Sequence, residues 1–302
     1  MEAPFLPKYS DMPNADVILQ SSDLVNFRAH RSVLIASSPF FRDMFSLPQP
    51  ANDIAPDGLP VLRLSEVAEV LDSLISMLYP VPPEMPSSID NILNLLAATD
   101  KYDMSAVQSF IREEVSRRGL LSPTDSSGVL HMYAVACNKR LGPEMETAAR
   151  LSLNYSLTFE GVGEELRLLD GWALRSLADF RLRCVRDLVS RMKSFSDGQN
   201  GPSKIWAGCP SVDEPLNPPW WLYCLFQVEN SEWVSFAEAV PTSLQFRHEF
   251  LESLQDHINE KDCHFCLKVY TLKGERYCAE MCEMLEQARN IPTQILGGTL
   301  GV

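Results

Sequence analysis

Residues Asp16 to Phe45 read DVILQSSDLVNFRAHRSVLIASSPFFRDMF, and their periodicity changes once, at Ser32. Before that point, Asp16-Val-Ile-Leu-Gln20 and the alternating Val25-Asn-Phe-Arg-Ala29 are strand-forming runs joined by Ser21-Ser22-Asp23. The pattern predicts a hairpin with Val25, Phe27 and Ala29 on one face. Beyond it, Val33, Leu34 and Ala36, then Phe40, Phe41, Met44 and Phe45, recur at helical spacing. Two short helices are expected, divided at Ser37-Ser38-Pro39. Ser38 can cap the second one, and Pro39 can occupy its first position, where a missing N–H costs nothing.

Working outward, a proline-bearing loop (Pro48 to Pro60) leads to a strand, Pro60-Val-Leu-Arg-Leu64. Ser65 is then expected to cap a helix whose apolar stripe is Val67, Val70, Leu71, Leu74 and Leu78, ended by Tyr79-Pro80. Past the stiff Pro82, Pro83 and Pro86 connector, Ile89, Ile92, Leu93, Leu96 and Ala97 mark one helix. Val107, Phe110, Ile111 and Val115 mark the next, stopped at Gly119. From Ser122 the pattern is helical, with segments expected at 123–140, 143–157, 162–170 and 172–195. Residues 196–219, rich in Gly, Pro and Ser, read as a linker or irregular loop. Further helices fill 220–290, the last from Arg276 to Arg289. The expected plan is thus an α/β domain over 14–118, a helical extension over 119–195, the linker over 196–219 and a helical region over 220–302.

Composition narrows the class of action. The chain has 302 residues, 45 % apolar and 22 % charged, enough for two or three packed domains. That excludes disorder as the main state, and rods. The net charge is −14, and wrapping a polyanion needs clustered Lys and Arg, so direct nucleic-acid binding is disfavoured. The one basic stretch, Arg175 to Lys193, is interrupted by Asp179 and Asp187 and reads as a solvated helix face. The apolar run Trp220 to Phe226 falls well short of the ~20 residues of a membrane span. The start, MEAPFLPKYSDMP, lacks the pattern of a secretory signal, so the eight cysteines are expected as thiols in a cytosolic or nuclear protein.

The Asp16–Phe45 string resembles the start of a BTB/POZ domain. That family's pattern is a strand opening with Asp and a second strand running into Phe-x-x-His. A basic residue, Val-Leu, Ser, an aromatic pair and Met-Phe follow. Here these are Asp16, Phe27, His30, Arg31, Val33-Leu34, Ser37, Phe40-Phe41 and Met44-Phe45. Val61-Leu62-Arg63-Leu64, Leu78-Tyr79 and Leu96 to Met104 extend the likeness to about Arg118. The Tyr79-Pro80 ending looks most like BTB proteins of mushroom-type fungi, and Leu121 to Lys193 looks like a divergent BACK-type extension.

The resemblance implies an α/β BTB/POZ domain, a small sheet clasped by helices, followed by a mostly all-α C-terminal region. It also implies work by protein–protein interaction: an adaptor or scaffold that binds itself, a cullin-type ubiquitin ligase or a transcriptional co-regulator. In the family, a matching Asp and basic residue lie close together in a charged pocket at the assembly surface. Asp16 and Arg31 are therefore either such an interaction surface or a structural salt bridge. His30 reads as a structural histidine whose ring satisfies backbone groups. Phe27, Val33, Leu34, Phe40, Phe41, Met44 and Phe45 read as core. The chain is expected to be a monomer, or to self-associate through the domain's own surface without strand-and-helix exchange, because Pro4, Pro7 and Pro13 break any helix ahead of Asp16.

No catalytic pattern stands out. Gly161-Val-Gly163 lacks a third glycine and a preceding strand, and no nucleophile elbow or phosphate-binding loop is present. Cys263-His-Phe-Cys266 has half the spacing of a zinc site, with Cys278 and Cys282 following. Those two share a helical stripe with Leu285 and read as core. Fungal relatives carry a second C-x-x-C after a Trp. Trp206-Ala-Gly-Cys209 matches its first half, but Val212 stands in place of the second cysteine. The expectation is no cofactor; the alternative is a zinc-stabilised regulatory module using Cys209, Cys263 and Cys266. Replacing Cys263 and Cys266 together by Ser should lower stability only modestly. A protein that becomes insoluble on this change or on chelation, where structural zinc contributes ~10 kcal/mol or more, would establish the zinc reading instead.

Overall fold

The computed structural model describes residues 12–47, 54–157 and 165–197, with single helical positions at Ala279 and Glu283 inside the expected final helix. The chain divides into two compact units, Met1–Pro123 and Thr124–Val302.

In the first unit, β1 (Val17–Gln20) lies between β2 (Asn26–Ala29) and β3 (Val61–Arg63). β2 runs antiparallel, with Leu19 opposite Phe27. β3 runs parallel, with Leu19 opposite Leu62. A middle strand is covered on both faces, so Val17, Ile18 and Leu19 are all buried and the run is continuous rather than alternating. The hairpin turn is closed by a side chain: Ser21 Oγ accepts the Val25 N–H at 2.9 Å.

The two short helices form as expected, α1 (Arg31–Ser37) and α2 (Pro39–Ser46). Ser38 Oγ accepts the Phe41 N–H at 3.1 Å, and Pro39 sits in the first turn. The core expectation for this segment needs correction. Phe27, Leu34 and Phe41 are buried, but Val33, Met44 and Phe45 are half-buried and Phe40 is 40 % exposed. A helix of two turns touches the core along one line only, and Phe41 occupies that line in α2.

The helix α3 (Ala68–Leu78) also departs from expectation. Ser65 does not cap it. The Ala68 N–H is taken by Asp23 Oδ1, from the hairpin turn, at 2.9 Å. Ser65 Oγ donates to Glu66 Oε1 at 3.1 Å and accepts from Lys101 Nζ at 2.7 Å. Val67, placed in the apolar stripe by its spacing, is the partly exposed residue preceding the helix. Behind it, α3 and α4 (Ile89–Lys101) bury Val70, Leu71, Leu74 and Ile75 with Ile92, Leu93, Leu95 and Leu96. The helix α5 (Ser105–Arg118) stops at Gly119, whose φ of +63° is the left-handed conformation that glycine adopts freely.

The described part of the second unit is all helical: α6 (Ser126–Asn138), α7 (Gly142–Ser152), α8 (Glu165–Leu168) and α9 (Gly171–Asp197). Gly142-Pro143, expected as a break, opens α7. Asp125 caps α6 through the Gly128 N–H at 2.7 Å. Tyr133 Oη donates to the Ala173 carbonyl at 3.1 Å, tying α6 to α9.

The basic stretch of α9 is not wholly a solvated face. Arg175 pairs with Asp179 and Arg191 with Asp187 along it, but Arg181 is 1 % exposed. Its guanidinium donates to the Ser152 carbonyl, and at 3.4 Å to Ser152 Oγ and the Tyr155 carbonyl. It therefore serves carbonyls at the C-terminal end of α7 that have no intrahelical donor. Burial lowers its pKa to about 10, which leaves it charged at neutral pH. Arg181→Leu keeps most of the volume but removes the charged donor, leaving the Ser152 carbonyl only the Tyr155 N–H at 3.2 Å. It should lower stability by about 1–3 kcal/mol, read as a lower urea midpoint.

Candidate functional site

Five aromatic and cationic side chains of the first unit form a row. Lys101 Nζ lies 4.8 Å from the centre of the Tyr102 ring, Tyr102 stacks on Phe41 at 5.0 Å, and Phe41 stacks on Phe45 at 6.2 Å. The Arg31 guanidinium covers Phe45 at 5.3 Å. Each end of the aromatic row thus meets a cation over a ring face, worth ~0.5–1 kcal/mol per contact at a surface. Phe40 flanks the row, 5.4 Å from both Phe41 and Tyr102.

At one end, Tyr102 Oη donates to Glu66 Oε2, and Lys101 Nζ lies 2.9 Å from Glu66 Oε1. Burial disfavours the Glu66 carboxylate, yet the hydrogen bonds from Tyr102 and Lys101 outweigh it and hold the carboxyl below the usual glutamate range. The Tyr102 phenol is raised far above its ordinary value, first by burial and then by the bond to Glu66.

At the other end, Asp16 and Arg31 meet, but not as an ion pair. Asp16 Oδ1 accepts the backbone N–H of Arg31 at 2.7 Å, capping α1 from the strand before the hairpin. The Arg31 side chain turns to Phe45, and its buried Nε has no hydrogen-bond partner among the described residues. The structural salt-bridge alternative is thereby corrected: the carboxylate has the first free N–H of a helix within reach, leaving the guanidinium to the ring. Asp16 is exposed and Arg31 half-buried.

His30 precedes α1 and has the structural role its position implies. Nε2 lies 2.9 Å from the Pro13 carbonyl, and Nδ1 lies 3.0 Å from Tyr79 Oη. A carbonyl only accepts, so Nε2 carries the proton and Nδ1 accepts from the phenol. Tyr79 Oη in turn accepts the His30 backbone N–H at 2.9 Å. Burial raises the Tyr79 phenol; the His30 N–H opposes this, and the Asp16 charge adds to it. Sequence reading missed Tyr79 as this partner, because 49 residues separate it from His30.

Beyond this row, the described surface of the first unit carries exposed apolar side chains at Leu24, Leu47, Ile54 and Phe110. Leu24 is 75 % exposed and holds a φ of +65°, a backbone state unfavourable for leucine. Among the described residues no three His, Cys, Asp or Glu side chains are placed to hold a metal. Cys209, Cys263 and Cys266 lie outside the described residues. The described thiols, Cys137 and Cys184, are raised by burial to about 11 and about 12, so neither is an activated nucleophile. Among the described residues no helix is long and apolar enough to cross a membrane.

The Glu66 network has a pH signature. Its folded pKa lies below the ordinary 4.5. Its stabilisation is therefore fully present above pH 4.5 and lost as pH falls through the folded value. Glu66→Gln should cost about 1–3 kcal/mol at pH 7. The gap between the urea midpoints of variant and wild type should narrow below pH 4.5, while acid sensitivity shared by both proteins cancels.

A model of the BTB/POZ domain family matches residues 9–118. No curated protein matches the chain. The matched span contains the hairpin, the capped helix pair, the parallel third strand and α3 to α5. Residues 9–118 are accordingly a BTB/POZ domain, a module that in general binds other proteins and is typically not enzymatic.

Proposed function

We propose that this protein is an adaptor or scaffold whose BTB/POZ domain engages other proteins, or a second copy of itself, through the surface around Asp16 and Arg31. One observation carries the reading: the Arg31 guanidinium lies over Phe45 with a buried Nε that no group among the described residues satisfies. An unpaired donor in an apolar setting costs free energy, and a partner's acceptor that draws this half-buried side chain off Phe45 removes that cost. Exposed Asp16 beside it sets the sign of the partner's neighbouring charge. The helices after the domain are then a BACK-type extension, and a ubiquitin-ligase adaptor or a transcriptional co-regulator are the working roles. The fungal affinity of the Tyr79-Pro80 ending belongs to the same proposal.

The test separates folding from binding. Arg31→Ala keeps the backbone N–H that Asp16 caps, so its melting temperature should stay within a few degrees of wild type. It should nevertheless reduce self-association in light scattering, or recovery of the proteins that co-purify with wild type, at least tenfold. Asp16→Lys should also abolish association, but with a stability loss of about 1 kcal/mol from the missing cap. If Arg31→Ala leaves both association and co-purifying proteins unchanged, the surface lies elsewhere.

A further inference from the structure

Serine directly before proline occurs twice in the chain, at Ser38-Pro39 and Ser122-Pro123, and threonine before proline does not occur. The two serines are placed in opposite ways. Ser38 is fully buried, with its hydroxyl engaged as both donor and acceptor. Ser122 is exposed, and its hydroxyl makes no hydrogen bond among the described residues. It stands at the middle of the stretch from Gly119 to Asp125 that separates α5 from α6, with three non-helical residues on each side. Proline biases the residue before it toward extended backbone and offers no N–H of its own. Such a segment suits a kinase cleft that reads an extended chain and receives a ring, not a donor, after the acceptor hydroxyl.

The charge beside Ser122 suits the product of that reaction. The left-handed turn at Gly119 folds the chain back and places Ser122 Oγ 3.7 Å from where a Cβ on Gly119 would lie. Arg117 and Arg118 immediately precede that glycine, and both are exposed. They share one carboxylate: Arg117 Nη2 and Arg118 Nε each lie 2.7 Å from Glu114 Oε2. Two cations on one anion leave a positive charge over, and Glu113 acts on Arg117 more weakly than Glu114 does. The Nη groups of Arg118 make no hydrogen bond among the described residues.

The last carbonyls of α5 present their negative ends at the same place and by themselves repel an anion. Two guanidinium groups outweigh them, since hydrogen bonds between ionised partners are about twice as strong as neutral ones. We propose that Ser122 is a phosphorylation site for a proline-directed serine/threonine kinase, and that Arg117 and Arg118 hold the phosphate against the end of α5. In the transfer, Ser122 Oγ attacks the terminal phosphorus of ATP bound to the kinase. The Oγ–P bond forms as the bond from that phosphorus to its bridging oxygen breaks, ADP leaves, and the hydroxyl proton passes to the base of the kinase. The product carries a charge of about −2 at neutral pH. It draws Arg118 from Glu114, while Arg117 keeps its two bonds to that carboxylate.

The test treats the full-length protein with a mitogen-activated protein kinase, ATP and Mg²⁺, and locates phosphate by fragmenting the tryptic peptide Gly119–Lys139. Phosphate should appear on Ser122 and not on Ser38. Pro123→Ala, with its melting temperature checked, should slow labelling of Ser122 at least tenfold. Absence of phosphate from Ser122, or equal labelling of the Pro123→Ala protein, would overturn the site. A second measurement reads the arginines, which can be replaced without disturbing the core because both are exposed. The ³¹P signal of the phosphorylated protein should titrate about half a pH unit or more below the ordinary second pKa of ~6, and Arg117→Ala with Arg118→Ala should restore the ordinary value. A midpoint that the double replacement leaves unchanged would overturn the capture of the phosphate.

Discussion

The hydroxyl of Ser38 joins the two halves of the BTB/POZ domain. It is fully buried, accepts the N–H of Phe41 and donates to the carbonyl of Tyr102. One atom thereby satisfies the start of α2 and the end of α4. A buried hydroxyl with both functions engaged leaves little freedom to the backbone around it. Phe41 and Tyr102 are held at stacking distance, and the cation-ended aromatic row follows from that. Alanine at position 38 would strand an N–H and a carbonyl in the same dry spot.

The remaining organisation of the domain follows from long-range caps of the same kind. Asp23, in the hairpin turn, starts α3; Asp16, ahead of the hairpin, starts α1; Tyr79, at the end of α3, receives the His30 backbone and ring. The helices α1 and α3 thus begin on groups supplied by another segment, whereas α2 begins on its own Ser38. The sheet is too small to position the helices by area alone, with three strands of three or four residues. Directed polar contacts at the helix ends do that positioning, and they also decide which side chains stay outside. Arg31 is held half-buried in this way: its backbone is engaged by Asp16 while its guanidinium lies over Phe45, with no partner for Nε among the described residues.

The second unit shows the same economy with a different group. Arg181 lies in a stretch that looks basic and exposed when read by composition, yet it is buried against the end of α7. Its neighbours Arg175 and Arg191 pair with Asp179 and Asp187 one turn away, as a solvated helix face should. Both kinds of arginine occur on one helix because one face meets α7 and another meets water.

Local pattern was enough to determine the hairpin, the helix pair, the Ser38-Pro39 start, the Gly119 stop and the family likeness of residues 16 to 45. Those features rest on period, turn chemistry and capping within four residues, all of which are legible in a string. Tertiary structure alone decided which apolar positions are core. Phe40 and Phe110 have helical spacing and still face outward, since a short helix buries one line of side chains and its neighbours choose which. It also decided that Asp23 and not Ser65 caps α3, that Asp16 holds the backbone of Arg31 and not its charge, and that Tyr79 anchors His30. These contacts join residues 15 to 49 positions apart, a separation that carries no periodic signal. A polar side chain bonds whichever unsatisfied group the folded chain brings within 3 Å, and that proximity exists only after the helices have packed.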